Sequence, residues 1–556
     1  MSFRTQLSEY FRQRDRGWML SLFALVCLVY VPFLGNPFFF DDLNFFSGDM
    51  LDYYQHAPFR LDLRWLPYAS LGWTATLFNE AVPHFLHLGN VLLHVANVIV
   101  LFYLLRQLLG AVLTRPEQGR AIVWGAWLAA QIFAVHPVAV YAVGYVVQRS
   151  ILLATLFVLL MQMAYLRGIL TGRVRWLVLA VLCYFLAVFS KEHSVLAPAV
   201  LAALSLLLRE KNAASKQALW LTWGAFLAVA VLVTLRARGI LGAPYETMAA
   251  QLFEHQGVTA DTPMLHVLSA LTQAGLFFKY LLLWLVPNVA WMSVDMREPF
   301  VATLTDWRGW LGAIAFITYG AVAIRLLLRG GMKGLLGFAL IYPWAQFGVE
   351  LAGIRVQEPF VLYRSYLWMP GLLLFVPLLF LRFPQSKIWL ALGCVAILLI
   401  PQAWNRLWVF GDQYRMWNDA AMLLKNDTVA GADRIYFNRG QALSAAHKWQ
   451  EAAADLKRAA TISPQLEPVR YELGMAYSNT GRYEEALAEF DAAILLKPDD
   501  GAAYFAKAVA LKHLHRNDEA WPQLEQGCKL QYPLACMFLS SPGNPKTVKS
   551  QTKKSK

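Results

Sequence analysis

The sequence predicts an all-α protein in two parts, a polytopic bundle of transmembrane helices followed by a soluble solenoid of helical repeats. Three observations carry that prediction. Charged residues make up only 15% of the 556 residues, against about 25% in an ordinary soluble domain. Hydrophobic residues reach 58% and gather into runs long enough to cross a bilayer. The last quarter is instead charged, Ala-rich and periodic. A soluble monomer, a disordered chain and a disulfide scaffold are therefore excluded.

The first apolar run, Trp18 to Leu34, follows a basic leader carrying Arg4, Arg12, Arg14 and Arg16. No small-residue cleavage site comes after it, so it reads as a retained span. Further runs lie near 86–105, 121–143, 150–166, 174–189, 194–208, 217–236, 264–286, 309–325, 334–351, 366–381 and 388–404. The net charge of +13 resembles a nucleic-acid signal until its location is read, because Lys and Arg sit mostly in short loops flanking these runs. That is membrane topology, and no nucleic-acid partner is expected.

Basic loops stay cytoplasmic. The leader and the segments Arg106–Arg120, Arg167–Arg175, Arg209–Lys216, Arg325–Lys333 and Arg382–Lys387 all qualify. Placing all six inside requires one of the runs 217–236 and 264–286 not to cross, and 264–286 is assigned that role. About eleven crossings result, with the N-terminus inside and everything after residue 404 in the periplasm or lumen.

Residues 1–405 form the membrane domain, 406–432 a linker helix, 433–540 three repeats, and 541–556 a disordered basic tail running from Lys546 to Lys556. The repeats show in four columns. Gly440, Gly474 and Ala508 are 34 residues apart, as are Ala452, Ala486 and Ala520, while Leu456, Phe490 and Leu524 keep the same step and Pro464 and Pro498 close the first two units. A 34-residue period with small residues where paired helices touch is the signature of tetratricopeptide repeats. Among the five cysteines, Cys528 and Cys536 alone lie near the C-terminus; they form either a disulfide or part of the repeat core.

Ionisable residues at membrane depth are costly and tend to be functional. Asp41 and Asp42 follow Asn36-Pro37-Phe38-Phe39-Phe40 directly after the first run. Neighbouring carboxylates repel, so one is expected to hold a raised pKa and act as a general base. Two carboxylates also ligate a divalent metal as readily as they share a proton, and the spacing does not choose.

Three further groups fall on the same side: His136-Pro137 with Gln148-Arg149-Ser150; Ser190-Lys191-Glu192-His193; and Glu358, Tyr363, Arg364 and Tyr366. Carboxylates beside cations at a lipid–water boundary suit transfer of a group from a lipid-linked phosphate to a hydroxyl. The leaving phosphate needs fixed positive charge and the hydroxyl a base. His84, His87 and His94, at steps of three and seven, could line one helical face and ligate a metal, but with Gly89, Asn90 and Asn97 beside them the stronger reading is a helix-packing face.

The order Phe40-Asp41-Asp42, Arg64-Trp65-Leu66-Pro67, His87 to His94, Phe133-Ala134-Val135-His136-Pro137, Arg149, Ser190-Lys191-Glu192 and Lys279-Tyr280-Leu281, ending in 34-residue repeats, resembles the transmembrane and tetratricopeptide-repeat O-mannosyltransferases. These are membrane glycosyltransferases of the GT-C fold. The resemblance implies a polyprenyl-phosphate sugar donor, a Ser or Thr acceptor on an exported protein, and inverting transfer. It places Asp41 and Asp42 at the reacting centre and His136, Arg149, Lys191, Glu192, His193, Arg364 and Tyr366 on the donor side. Arg64, Trp65 and Tyr363 fall on the acceptor side. This chain departs from the family at Tyr141 and Tyr363, where the family has acids, and in its short repeat array.

Compact loops and scarce Asn-x-Ser/Thr sites favour a bacterial inner membrane over an endoplasmic reticulum. The repeats would then hold the acceptor near the membrane site. A non-catalytic membrane scaffold that recruits partners, a transporter or polymerase of lipid-linked sugars, and an enzyme with a glycan or lipid acceptor are the competing readings.

Overall fold

The computed structural model describes residues 3–56, 60–78, 80–113, 119–237, 264–356, 358–381 and 385–540. The basic tail 541–556 therefore lies outside the described residues. No named β-strand occurs among those residues. The chain divides into two compact units, residues 1–412 and 413–556.

In the first unit the predicted apolar runs become helix, except that 366–381 holds turns, a 3-10 segment (Pro370–Leu374) and an α-helix of 6 residues. The helices on the apolar runs are α1 (Phe3–Tyr30), α5 (Pro83–Val112), α6 (Gly119–Val135), α8 (Arg149–Thr171), α9 (Val174–Ser190), α10 (Ala197–Leu207) and α11 (Lys216–Arg236). After them come α12 (Leu265–Leu285), α13 (Trp307–Leu328), α14 (Gly331–Ala352), α15 (Phe375–Phe380) and α16 (Gln385–Phe410). Shorter pieces, α2 (Asp41–Ser47), α3 (Asp49–His56), α4 (Trp65–Leu77) and α7 (Pro137–Val143), fill the connections. Among the described residues, 8 helices are long and apolar enough to cross a membrane, or 9 if α6 and α7 count as one bent span, fewer than the about eleven crossings expected, because Val174–Ser190, Glu192–Leu207 and Pro370–Phe380 are shorter. Leu265–Leu285 is one of them, on the same criterion as the rest.

The run 121–143 is broken. α6 and α7 meet at 61°, because Pro137 disfavours helical backbone at His136, which is extended with ψ 127°. That break turns the chain so that His136 caps α7, its Nδ1 accepting the Val138 N–H at 3.3 Å. Contacts from distant segments gather the turn after α1, the start of α8 and the ends of α9 and α14 in one place: Asp42 accepts from Val147, Arg64 pairs with Glu192, and His193 lies 3.5 Å from Glu350. The site is built there.

The second unit is the repeat array. The segment 406–432, expected to be one linker helix, is instead the end of α16, a separate helix α17 (Gln413–Met422) and a turn. In that turn Asn426 accepts from the Thr428 N–H at 3.2 Å and Gly431 takes φ 83°, which stops helix formation. Met416, Trp417 and Ala420 of α17 are buried, and Asn418 accepts from Arg439 at 3.0 Å, so α17 covers the open end of the first repeat.

The repeat pairs are α18 (Ala432–Ala445) with α19 (Trp449–Ile462), α20 (Glu467–Asn479) with α21 (Tyr483–Leu496), and α22 (Gly501–His513) with α23 (Asn517–Lys529). The columns meet as their residue sizes require. A Cβ on Gly440 would stand 2.7 Å from Leu456, and one on Gly474 2.6 Å from Phe490. The 34-residue step also governs backbone: His447, Gly481 and His515 all take positive φ at the turn inside each pair, a conformation that costs a non-glycine residue about 1 kcal/mol. A closing helix α24 (Pro533–Ser540) follows, tied to α23 by the Cys528–Cys536 disulfide, which resolves the two readings of that pair. Gly474→Val is expected to destabilise the repeats by about 1–3 kcal/mol through overpacking, seen as a lower unfolding midpoint in urea; an unchanged midpoint would show that Phe490 can move away.

Candidate functional site

The chain reaches the site through an unusual turn. Phe40 has φ 52°, a rare value for a bulky residue that surrounding structure must hold in place. The turn splits the acidic pair. Asp42 points inward, 0% exposed, and its two oxygens accept backbone N–H groups from Val147 at 2.7 Å and Val146 at 3.4 Å. Asp41 is exposed, and its own N–H donates to the Tyr145 hydroxyl at 3.0 Å. The ring of Tyr145 stacks on Phe39 at 4.9 Å. The two carboxylates therefore have different environments, one tied into the fold and one open.

Burial pushes the Asp42 carboxyl up to about 8, opposed by its backbone N–H donors, with the Asp41 charge as the smallest push. The raised acid predicted from neighbour repulsion exists, but desolvation causes it and the residue is inaccessible. Its folded value lies above the ordinary 3.8. Asp42 thus stabilises the fold at low pH, and that contribution drains away as pH rises from about 4 through about 8. The melting temperature in detergent is expected to fall across that window in the wild type more than in Asp42→Asn; parallel profiles would refute the assignment.

A metal at the acidic pair does not fit these donors. Both Asp42 oxygens face N–H groups, which leaves one carboxylate, and among the described residues no group of three or more His, Cys, Asp or Glu side chains could hold a metal ion. No step is derived through a metal.

Opposite the turn lies an ionic knot. Arg64, held at φ 62° before α4, forms a two-pronged pair with Glu192, Nε donating at 3.0 Å and Nη2 to the second oxygen. His193 sits between Glu192, at 3.3 Å, and Glu350, at 3.5 Å. Glu350 also pairs with Arg355 and Arg364, each at 3.2 Å, and Arg364 reaches Glu358 at 3.7 Å. Every member but one is ion-paired within the protein.

The exception is Lys191. It is 4% exposed, yet its ammonium makes no hydrogen bond or ion pair to any described residue and lies 5.7 Å from the centre of the Tyr363 ring. Burial, then the charge of Arg64, lowers it to about 7, while Glu192 and Asp41 pull the other way. Asp41 also acts electrostatically on Tyr363. Asp41, Lys191 and Tyr363 thus form one neighbourhood with Tyr145 and the knot, and Lys191 is its uncompensated cation.

Other expected site residues are placed elsewhere or committed. Arg149 donates to Asn90 Oδ1 at 2.9 Å, Ser70 O at 2.9 Å, Thr74 Oγ1 at 3.0 Å and Leu86 O at 2.8 Å, so it ties α4, α5 and α8 together and leaves little for a phosphate. Gly89 lets it pass, since a Cβ there would meet the guanidinium. His136 is spent on capping α7 and on donating from Nε2 to Trp284 O at 3.1 Å. Tyr366 donates to His94 Nδ1 at 2.6 Å, and His94 donates to Ala134 O at 3.1 Å. The polar atoms of Arg149, His136 and Tyr366 thus already have protein partners. Trp65 is buried against Trp73, ring centres 5.7 Å apart. The helix-packing reading agrees with the structure at His87, Asn90, His94 and Asn97, which are buried and bonded to protein atoms, but not at His84, which is exposed. Tyr141, at the family's acidic position, is approached by Arg406 at 3.4 Å.

Sequence reasoning missed Glu350 and Tyr145. Glu350 stands alone as an acid inside the apolar helix α14, which is itself the signal of an intramembrane functional or pairing group. Tyr145 carried no signal, since a tyrosine in an apolar stretch is ordinary.

Residues 443–511 match the family model of the tetratricopeptide repeat. No curated protein matches the chain. Among solved structures, the crystal structure of MamA shares 20% identity, covering 26% of this chain and 74% of its own, with TM-score 0.20. YrrB, described as a TPR protein with an unusual peptide-binding site, shares 18% over 31% and 82% with TM-score 0.22. The APC/C hetero-tetramer Cut9–Hcn1 shares 13% over 97% and 96% with TM-score 0.22. Overlaps at these scores support no argument about this chain. The second unit is a tetratricopeptide-repeat array on its period, its paired helices and the family match; these matches do not bear on the O-mannosyltransferase resemblance.

Proposed function

We propose that the chain is a multi-pass membrane glycosyltransferase that moves a sugar from a polyprenyl-phosphate donor to a Ser or Thr hydroxyl of an exported protein, with the repeats binding that acceptor. The observation that carries the reading is an exposed carboxylate, Asp41, close enough to act electrostatically on a buried ammonium, Lys191, that has no ion-pair partner among the described residues. A buried cation is costly unless compensated, and a lipid phosphate supplies the missing charge.

In this reading Asp41 takes the proton from the acceptor hydroxyl as the new oxygen–C1 bond forms. The bond from C1 to the phosphate oxygen breaks on the opposite face, inverting the anomeric carbon. The electron pair leaves with the lipid phosphate, which Lys191 stabilises. Tyr363 lines the space between them. Arg64, Glu192, His193, Glu350, Arg355 and Arg364 fix Lys191 in place.

The eight long apolar helices and the basic loops support a membrane placement, and the Cys528–Cys536 bond fits repeats on an oxidising side, periplasm or lumen. The test uses the purified full chain with a synthetic polyprenyl-phosphate sugar and a Ser/Thr-containing peptide. Peptide-dependent release of polyprenyl phosphate with a matching mass gain on the peptide is expected. Intact donor after prolonged incubation, with a protein that is folded, would favour the scaffold instead.

A further inference from the structure

At the other end of the first unit, away from Asp41, four helices bring aromatic rings together. Trp18 of α1, Trp124 and Trp127 of α6, Phe380 of α15 and Trp389 of α16 form a continuous set, with ring centres 4.5 Å apart for Trp18–Trp124 and Trp124–Trp389 and 4.8 Å for Phe380–Trp389. Beside them opens a groove of about 290 Å³ lined by Arg120, Ala121, Trp124, Phe380 and Trp389. Its walls are mostly ring and methyl.

Among the described residues, the polar side-chain groups of the lining are a guanidinium and two indole N–H groups, which only donate hydrogen bonds. The Trp127 indole is satisfied by Ser21 at 3.0 Å. Neither Arg120 nor the Trp124 or Trp389 indole has a hydrogen-bond partner among the described residues. In a second basic and aromatic cluster, both guanidinium groups, those of Arg167 and Arg175, lie against the ring of Trp176 at 5.0 and 5.6 Å.

We propose that the groove holds an anionic phospholipid, its phosphate accepting from Arg120 and the neighbouring indoles and its acyl chain lying along Trp124, Phe380 and Trp389. A phosphate acceptor on a head of net negative charge, with an apolar tail, is what this donor set complements, and basic pockets between membrane helices select such lipids. The site is separate from the glycosyl-transfer reading and stands or falls without it.

The test is native mass spectrometry of the full chain in detergent with phosphatidylglycerol or phosphatidylcholine added. The wild type is expected to retain phosphatidylglycerol in preference to phosphatidylcholine, and Arg120→Gln to retain about fivefold less, the effect of one basic residue near a lipid head. Arg175→Gln serves as the control and is expected to match the wild type. Equal retention of the two lipids, loss in Arg175→Gln equal to that in Arg120→Gln, or displacement of the lipid by inorganic phosphate alone would each overturn the proposal.

Discussion

Asp41→Asn is expected to lower the rate of sugar transfer by about 100- to 10,000-fold, the usual contribution of a positioned general base, while leaving the melting temperature unchanged. The two halves of that expectation come from the same geometry. The Asp41 carboxylate is exposed and the protein holds the residue through its backbone N–H on Tyr145, so removing the charge takes little from the fold. Asp42→Asn is the contrasting case. Its amide keeps one oxygen to accept from Val147 but its NH2 cannot accept from Val146, so the loss is expected in stability and its pH dependence, with transfer falling far less. The reverse ranking, with Asp42 the more damaging for catalysis, would exclude Asp41 as the base.

The second large effect is structural. Glu350→Ala removes the carboxylate shared by His193, Arg355 and Arg364, leaving two guanidinium groups in a buried cluster that already contains the uncompensated Lys191. Breaking a buried pair by deleting one partner costs about 3–5 kcal/mol. The variant is expected to accumulate poorly and to melt well below the wild type in detergent. Normal accumulation and an unshifted melting temperature would mean that the knot is not what orders residues 191–193 and 355–366. Loss of transfer in a Glu350 variant is therefore no evidence for a catalytic role unless folding is intact.

The contrast between these residues also shows what the sequence could disclose. The apolar runs and the 34-residue columns were legible because each reports a property summed over many residues, helical burial in the first case and helix-pair contact in the second. Gly440 against Leu456 and Gly474 against Phe490 are the direct consequence of spacing. The neighbourhood of the site was legible too, since charged residues beside apolar runs are rare enough to stand out, and Asp41, Lys191, Tyr363 and Arg364 do converge.

Roles within it were not legible. A sequence places Arg149, His136 and Tyr366 beside the same boundary as Lys191 but does not show that Asn90, Trp284 O and His94 already take their polar atoms. Whether a polar group is spent or available depends on partners from distant segments. Glu350 was hidden for the opposite reason, because a run counted as apolar absorbs a single acid without losing its average. The acidic pair looked symmetric in sequence and is split only by the turn at Phe40, whose positive φ no residue-type preference announces.

The most direct test of the central claim is intact-mass analysis of exported proteins from cells carrying the wild-type chain, Asp41→Asn, Lys191→Gln, or no copy. The account predicts that one discrete sugar mass, present with the wild type, disappears in the knockout and in both variants while each variant still inserts and accumulates. An unchanged mass profile in the knockout, or full modification by a well-folded Asp41→Asn protein, would contradict it.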